Sequence, residues 1–156
     1  MSEKSRLVRD NPDLYAYPLA VVEMERHDWT ALRCGCGGDA AHVRTALASL
    51  LAGESGDLDD GSQLVDHLAG DAGLAEPAAP AAAVLVNAVS DGASGGVLDD
   101  IVFVLLFLAD AVRSAGTARP EDAAFVRVLD ESFYTVRGMA AGAYAEEAET
   151  VLAVLT

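Results

Sequence analysis

Val97-Leu98-Asp99-Asp100-Ile101-Val102-Phe103-Val104-Leu105-Leu106-Phe107-Leu108-Ala109-Asp110-Ala111-Val112-Arg113-Ser114-Ala115 is the stretch whose reading decides the fold. Its apolar run, Ile101 to Ala109, is bracketed by Asp100 and Asp110. A helix that crosses a bilayer needs about 20 apolar residues, so this run is too short for one. It is nearly apolar all round, which predicts the most buried helix of a helical protein. Gly92, Gly95 and Gly96 break the chain before it.

Helical patterns extend to both sides. Upstream, Pro77 and Pro80 suit the first turn of a helix carrying Val84, Leu85, Ala88 and Val89. Before that, Leu58, Leu64, Val65 and Leu68 mark a helix stopped by Gly70 and Gly73. Asp39 can cap a helix with Val43, Leu47, Leu50 and Leu51 on one side, stopped by Gly53. Asp28 is the N-cap of a short helix through Arg33 that Gly35, Gly37 and Gly38 end. Leu14 to Glu25 stays ambiguous, because Val21 and Val22 suggest extended chain and Pro18 bars a continuous helix. Downstream, Pro120 opens a helix with Phe125, Val128, Leu129, Phe133 and Val136, and another carries Tyr144, Val151, Leu152 and Leu155. Gly138 and Gly142 either separate these two or kink one long helix.

The expected fold is therefore all-α, with about six to seven helices. A polar tail, residues 1–13, precedes a single helical domain over residues 14–156. Helices begin near Asp39, Ala79 and Pro120, a spacing of about 40 residues that suits stacked antiparallel hairpins of HEAT-like type. An irregular six-helix bundle is the alternative. A chain of 156 residues can bury about 70% of its unfolded surface. Abundant alanine and leucine with few aromatics also favours helix over sheet.

Charge limits the partners. The net charge is −15, and no lysine or arginine lies between Arg44 and Arg113. Such a middle repels nucleic acid and anionic lipid and attracts basic proteins or cations. Lys4, Arg6 and Arg9 are followed by no apolar export core, so a cytoplasmic location with reduced Cys34 and Cys36 is expected.

The segment His27-Asp28-Trp29-Thr30-Ala31-Leu32-Arg33-Cys34-Gly35-Cys36-Gly37-Gly38, running on through His42-Val43 to Leu50, resembles a group of small bacterial HEAT-like repeat proteins. The shared pattern is a Trp-x-x-Leu helix, a glycine-rich break and an Ala-xx-Val-xxx-Leu helix. Glu76-Pro77-Ala78-Ala79-Pro80 followed by Val84-Leu85-Val86 looks like the start of their next repeat. The likeness covers residues 27–115, and the chain departs from it after residue 116. It implies a helical stack that binds another protein, often of immunity type, and carries over no catalytic residues.

Several local groups invite chemistry. Cys34 and Cys36, with His27 and His42 nearby, are the candidate metal set, but structural zinc prefers Cys pairs two to four residues apart. The glycines around them favour a packed turn, and no metal or cofactor is expected. Asp57-Leu58-Asp59-Asp60-Gly61 fails as a calcium loop, because Ser62 and Leu68 stand where glycine and glutamate are required. Asp99-Asp100 lacks the third carboxylate of an aspartate-rich diphosphate motif and complements a helix dipole instead. His67 is expected at a helix surface, and Trp29 as a buried anchor. Asp99, Phe103, Leu106/Phe107 and Asp110 share one helical face. Burial between hairpins is the expected use of that face. Lining an open groove, it would bind a basic amphipathic segment.

These readings favour a non-enzymatic scaffold with an acidic face, in its most specific form an immunity-type inhibitor of a basic toxin. Its expected contact residues are Asp57, Asp59, Asp60, Asp66, Asp99, Phe103 and Asp110. The rival is a small metal- or redox-dependent enzyme or accessory subunit using Cys34/Cys36 with a histidine. A third reading is a homo-oligomer paired through Glu121 to Thr156, using Phe125, Leu129, Phe133, Val136, Tyr144 and Leu152.

Overall fold

The computed structural model describes residues 16–54, 63–115, 119–139 and 142–156. The polar tail and Asp57, Asp59 and Asp60 lie outside the described residues. The described chain is mostly helical, with one very short ribbon and an isolated bridge between Arg33 and Asp39. In order it contains α1 (Pro18–Glu25), a 3-10 turn (Trp29–Ala31), α2 (Ala41–Leu51) and α3 (Leu64–Leu68). The antiparallel ribbon β1 (Ala69–Gly70) and β2 (Gly73–Leu74) follows, with Ala69 opposite Leu74 and Gly70 opposite Gly73. Then come α4 (Ala78–Ser90), α5 (Gly95–Ser114), α6 (Pro120–Glu131), α7 (Phe133–Met139), α8 (Ala145–Leu152) and a closing 3-10 turn (Ala153–Leu155). No helix of the described residues is long and apolar enough to cross a membrane.

Start and stop signals act as their chemistry requires. Pro18 takes the first turn of α1, where its missing N–H costs nothing, so the ambiguous segment is helical. The Asp28 carboxylate accepts from Thr30 N at 3.2 Å and caps the 3-10 turn. The Asp39 carboxylate accepts from Ala41 N at 2.9 Å where α2 begins. Gly53 and Gly92 close helices at φ +80° and +96°, a left-handed region that only glycine enters freely.

The hub of the fold is α4, not the helix at 95–114. Helix α4 packs on α1, α2, α5, α6 and α7. Ala78, Ala79, Ala81, Ala82, Val84, Leu85, Val86 and Ala88 are all buried. Five of those eight are alanines, and small side chains let several helices approach one axis. Helix α5 buries Ile101, Val102, Val104, Leu105, Leu108 and Ala109 but turns a face outward, correcting the expectation that it is buried all round. Periodicity in a Leu- and Phe-rich helix overstated its burial, and a run of alanines understated it.

Asp91, just past α4, fastens α1 from a distance. Its two carboxylate oxygens accept from Leu19 N at 3.2 Å and Ala20 N at 3.0 Å. Trp29 is buried as expected, and its indole N–H donates to Met24 O at 2.8 Å. The ribbon is held from the other half of the chain. Arg119 donates to Ala72 O at 2.6 Å and Leu74 O at 3.2 Å.

The segment 120–152 forms three helices, breaking at Ser132 as well as near Gly142. Phe125, Leu129, Val136 and Leu152 are buried within the fold, whereas Phe133 is partly open and Tyr144 half-buried. Most of the apolar positions considered for a dimer seam therefore serve the internal core.

Candidate functional site

Among the described residues, two places stand out for the side chains they bring together. The first is the outward face of α5. Asp99, Phe103, Phe107 and Asp110 are all exposed, Phe103 by 54% and Phe107 by 37%. The expected burial of this stripe is corrected: its neighbours Val102, Leu105 and Leu106 face inward and complete the packing without the two phenyl rings. Asp99 to Asp110 spans about 16 Å of helix axis. The Tyr144 hydroxyl donates to the Asp99 carboxylate, and Arg113 donates to Asp110 at 2.7 Å. The Asp100 carboxyl is raised above its ordinary value by partial burial and then by the charge of Asp99. Asp66 stands apart on α3, where its carboxylate accepts from Gln63 N at 3.2 Å and closes that helix's first turn.

The second place is a cluster of Cys34, Cys36, His42 and His67, whose donor atoms all lie within 4.8 Å of one another. The turn around Cys34 builds half of it. Cys34 N donates to Gly38 O at 2.8 Å and Gly37 N donates to Cys34 O at 3.0 Å, which closes the loop on itself. Gly37 sits at φ +96°. Gly35 N donates to His67 O at 3.0 Å, and a Cβ on Gly35 would stand 3.0 Å from that same oxygen. Glycine at this position gives the cysteine turn the room to press closely against the end of α3. His42 enters from the first turn of α2, and His67 from α3.

Cys34 Sγ lies 3.1 Å from His42 Nε2 and 3.2 Å from His67 Nδ1. Cys36 Sγ lies 3.6 Å from His42 Nε2, and the two ring nitrogens are 3.0 Å apart. Cys34 and His67 are buried, His42 is half-buried and Cys36 is exposed. Burial pushes the Cys34 thiol up to about 11, with the Cys36 thiol adding to the rise and the Cys36 and Gly35 amides opposing it. A thiol held there is protonated at neutral pH and is a weak nucleophile unless a cation displaces its proton.

Of the metal set considered from sequence, Cys34, Cys36 and His42 come together and His27 does not. His27 Nε2 pairs with Glu23 Oε1 at 3.1 Å, and its ring meets Trp29 edge-on. His67 takes the fourth place and is 6% exposed, not at the surface as expected. Its imidazole turns inward because α3 is only five residues long and its end packs under the glycine turn. No spacing signal joins His67 to a Cys-x-Cys 31 residues earlier; only the fold does so. No family model, no curated protein and no solved structure matches this chain.

Proposed function

We propose that this chain is a non-enzymatic helical module that captures a basic amphipathic helix of a partner protein on the outward face of α5. The carrying observation is the exposure of Phe103 and Phe107 between carboxylates at both ends of that face. Aromatic anchors supply most of the binding energy in such contacts, and flanking charges select the partner and speed the encounter. A second copy of this chain is the wrong occupant, because it would set Asp99, Asp100 and Asp110 against like charge. In its narrowest form the partner is a basic toxin and the chain an immunity-type inhibitor with HEAT-like stacking. The resemblance of residues 27–115 supports that form.

A metal- or redox-dependent enzyme built on Cys34/Cys36 is the weaker reading. Four protein donors converge on one point, which leaves no position for substrate or water.

The test uses a synthetic helical peptide of about 14 residues, long enough to cover the Asp99–Asp110 span. Leucines occupy one face and arginines both ends; a scrambled peptide is the control. Saturable binding that weakens with salt, maps to α5 by amide shifts and drops about tenfold or more in Phe103→Ala/Phe107→Ala supports the reading; tenfold corresponds to about 1.4 kcal/mol. Equal binding by the double variant and the wild type would overturn it.

A further inference from the structure

We propose that Cys34, Cys36, His42 and His67 bind one zinc ion in a closed tetrahedral site, and that this ion fastens the glycine turn at 34–38 to α2 and α3. The inference stands on the cluster alone and is independent of what α5 binds.

The first argument is geometric. Zinc bonds to sulfur at about 2.3 Å and to imidazole nitrogen at about 2.0–2.1 Å, so the edges of its tetrahedron measure about 3.3–3.8 Å. The cluster's four short edges run from 3.0 to 3.6 Å, and none of its separations exceeds 4.8 Å. Four donors from three separate segments gather close to the spacing a single ion sets, with three of the short edges slightly inside it.

The second argument is that hydrogen bonding leaves the arrangement unexplained. His42 Nε2 has Cys34 Sγ at 3.1 Å, Cys36 Sγ at 3.6 Å and His67 Nδ1 at 3.0 Å. An imidazole nitrogen carries either one N–H or one lone pair. It can serve one such neighbour well, not three. A cation at the centre turns all four atoms into electron-pair donors toward a common acceptor, so each contact becomes an edge between ligands.

The donor set identifies the ion. Two thiolates and two imidazoles suit a borderline-soft, tetrahedral d¹⁰ cation, whereas calcium and magnesium demand oxygen ligands. Binding releases the two thiol protons to solvent: two Cys–SH groups and two neutral imidazoles plus Zn²⁺ give the Cys₂His₂ zinc complex and two H⁺. That complex is neutral, no oxidant or reductant enters, and the acidic chain draws cations toward it. Cys36 is exposed and gives the ion a way in. The Cys-x-Cys spacing is tight for zinc, but Gly37 at φ +96° turns the backbone sharply after the second sulfur, and Gly35 between the sulfurs lets the turn lie against the end of α3.

The ion also has work to do in the fold. Helix α3 is five residues long, too short to persist by itself. A zinc held by His67 on α3, His42 on α2 and both cysteines closes a loop from residue 34 to residue 67 and anchors that helix at its C-terminal end.

The experiment uses full-length protein without a histidine tag. Native mass spectrometry is expected to show one zinc per chain, removed by a strong chelator and restored by added zinc salt. Cobalt(II) in its place is expected to give the ligand-field bands of a tetrahedral site and a thiolate-to-cobalt charge-transfer band. Cys36→Ser and His67→Asn should weaken zinc binding about 100-fold or more, at least what losing an outer-shell partner costs, while His27→Asn binds as wild type. Cys36 is exposed, so its serine variant should fold, and the wild-type cobalt spectrum needs no variant. A cobalt spectrum without the charge-transfer band, failure of added zinc to bind, or full zinc retention in Cys36→Ser would each overturn the proposal.

Discussion

Residues 33–38 together with 63–76, and the outward face of α5, are built on opposite rules. The first region holds its shape through specific polar contacts. Arg33 N donates to Glu76, Gly35 N to His67 O, and Arg119 reaches in to the ribbon carbonyls. Its elements are short, and glycines let backbones approach within hydrogen-bond reach. The second region is one 20-residue helix, whose inner face is packed and whose outer face leaves Phe103 and Phe107 outside the core, with the Tyr144 hydroxyl reaching Asp99 at one end. Stability in the first should therefore be concentrated in a few groups, whereas side chains on the second should be removable at little cost. Regions that tolerate loss are free to evolve contacts with something else.

The sharpest test of that contrast is metal removal. With zinc at about a thousand times its Kd, linkage supplies about 4 kcal/mol. At about 2–4 °C per kcal/mol for a chain of this size, a chelator should lower the thermal midpoint by about 10 °C. Loss of protection in amide exchange should be greatest around α3 and the ribbon. Next comes a paired substitution. Leu85→Ala at the α4 hub should cost about 2–5 kcal/mol in urea unfolding, while Phe103→Ala stays within about 0.5 kcal/mol of wild type. Comparable losses in both would break the distinction between packed and spare faces. A smaller effect is expected from Asp91→Ala, which strips the cap from α1 and should cost about 0.5–2 kcal/mol. The smallest concerns Asp100. Its carboxyl is raised in the folded protein, so folding is favoured as pH falls through that raised value and loses that contribution as pH rises above it. Asp100→Asn should therefore be slightly more stable than wild type at neutral pH, with the difference shrinking as the solution is acidified. A difference that grows on acidification would mean the carboxylate is held by a favourable partner instead.

Much of the helical layout was legible because its signals are local. Asp28, Asp39, Gly53, Gly92 and Pro120 each act within a few residues of where they stand. Their effects on φ or on an orphan N–H need no tertiary knowledge. Which helix lies at the centre was not legible. Ala78–Ser90 buries itself through smallness, and smallness carries little weight in a hydrophobic pattern, whereas Phe103 and Phe107 carry much and stay outside. The same limit explains the cluster. Cys34, Cys36 and His42 are close in sequence and were readable as a set, but His27 was the nearer histidine along the chain and the wrong one. His67 joins only after α3 folds back under the glycine turn. The break at Ser132 has no glycine or proline to announce it.

Asp91's grip on α1 has a consequence for the order of assembly. The capping carboxylate lies 71 and 72 residues downstream of the amides it binds. As the chain leaves the ribosome, Pro18–Glu25 emerges long before either its cap or the face of Ala78–Ser90 on which it rests. Eight residues do not hold a helix unaided. This first helix is then among the last to form, and a nascent chain halted before residue 91 should leave it open to a protease.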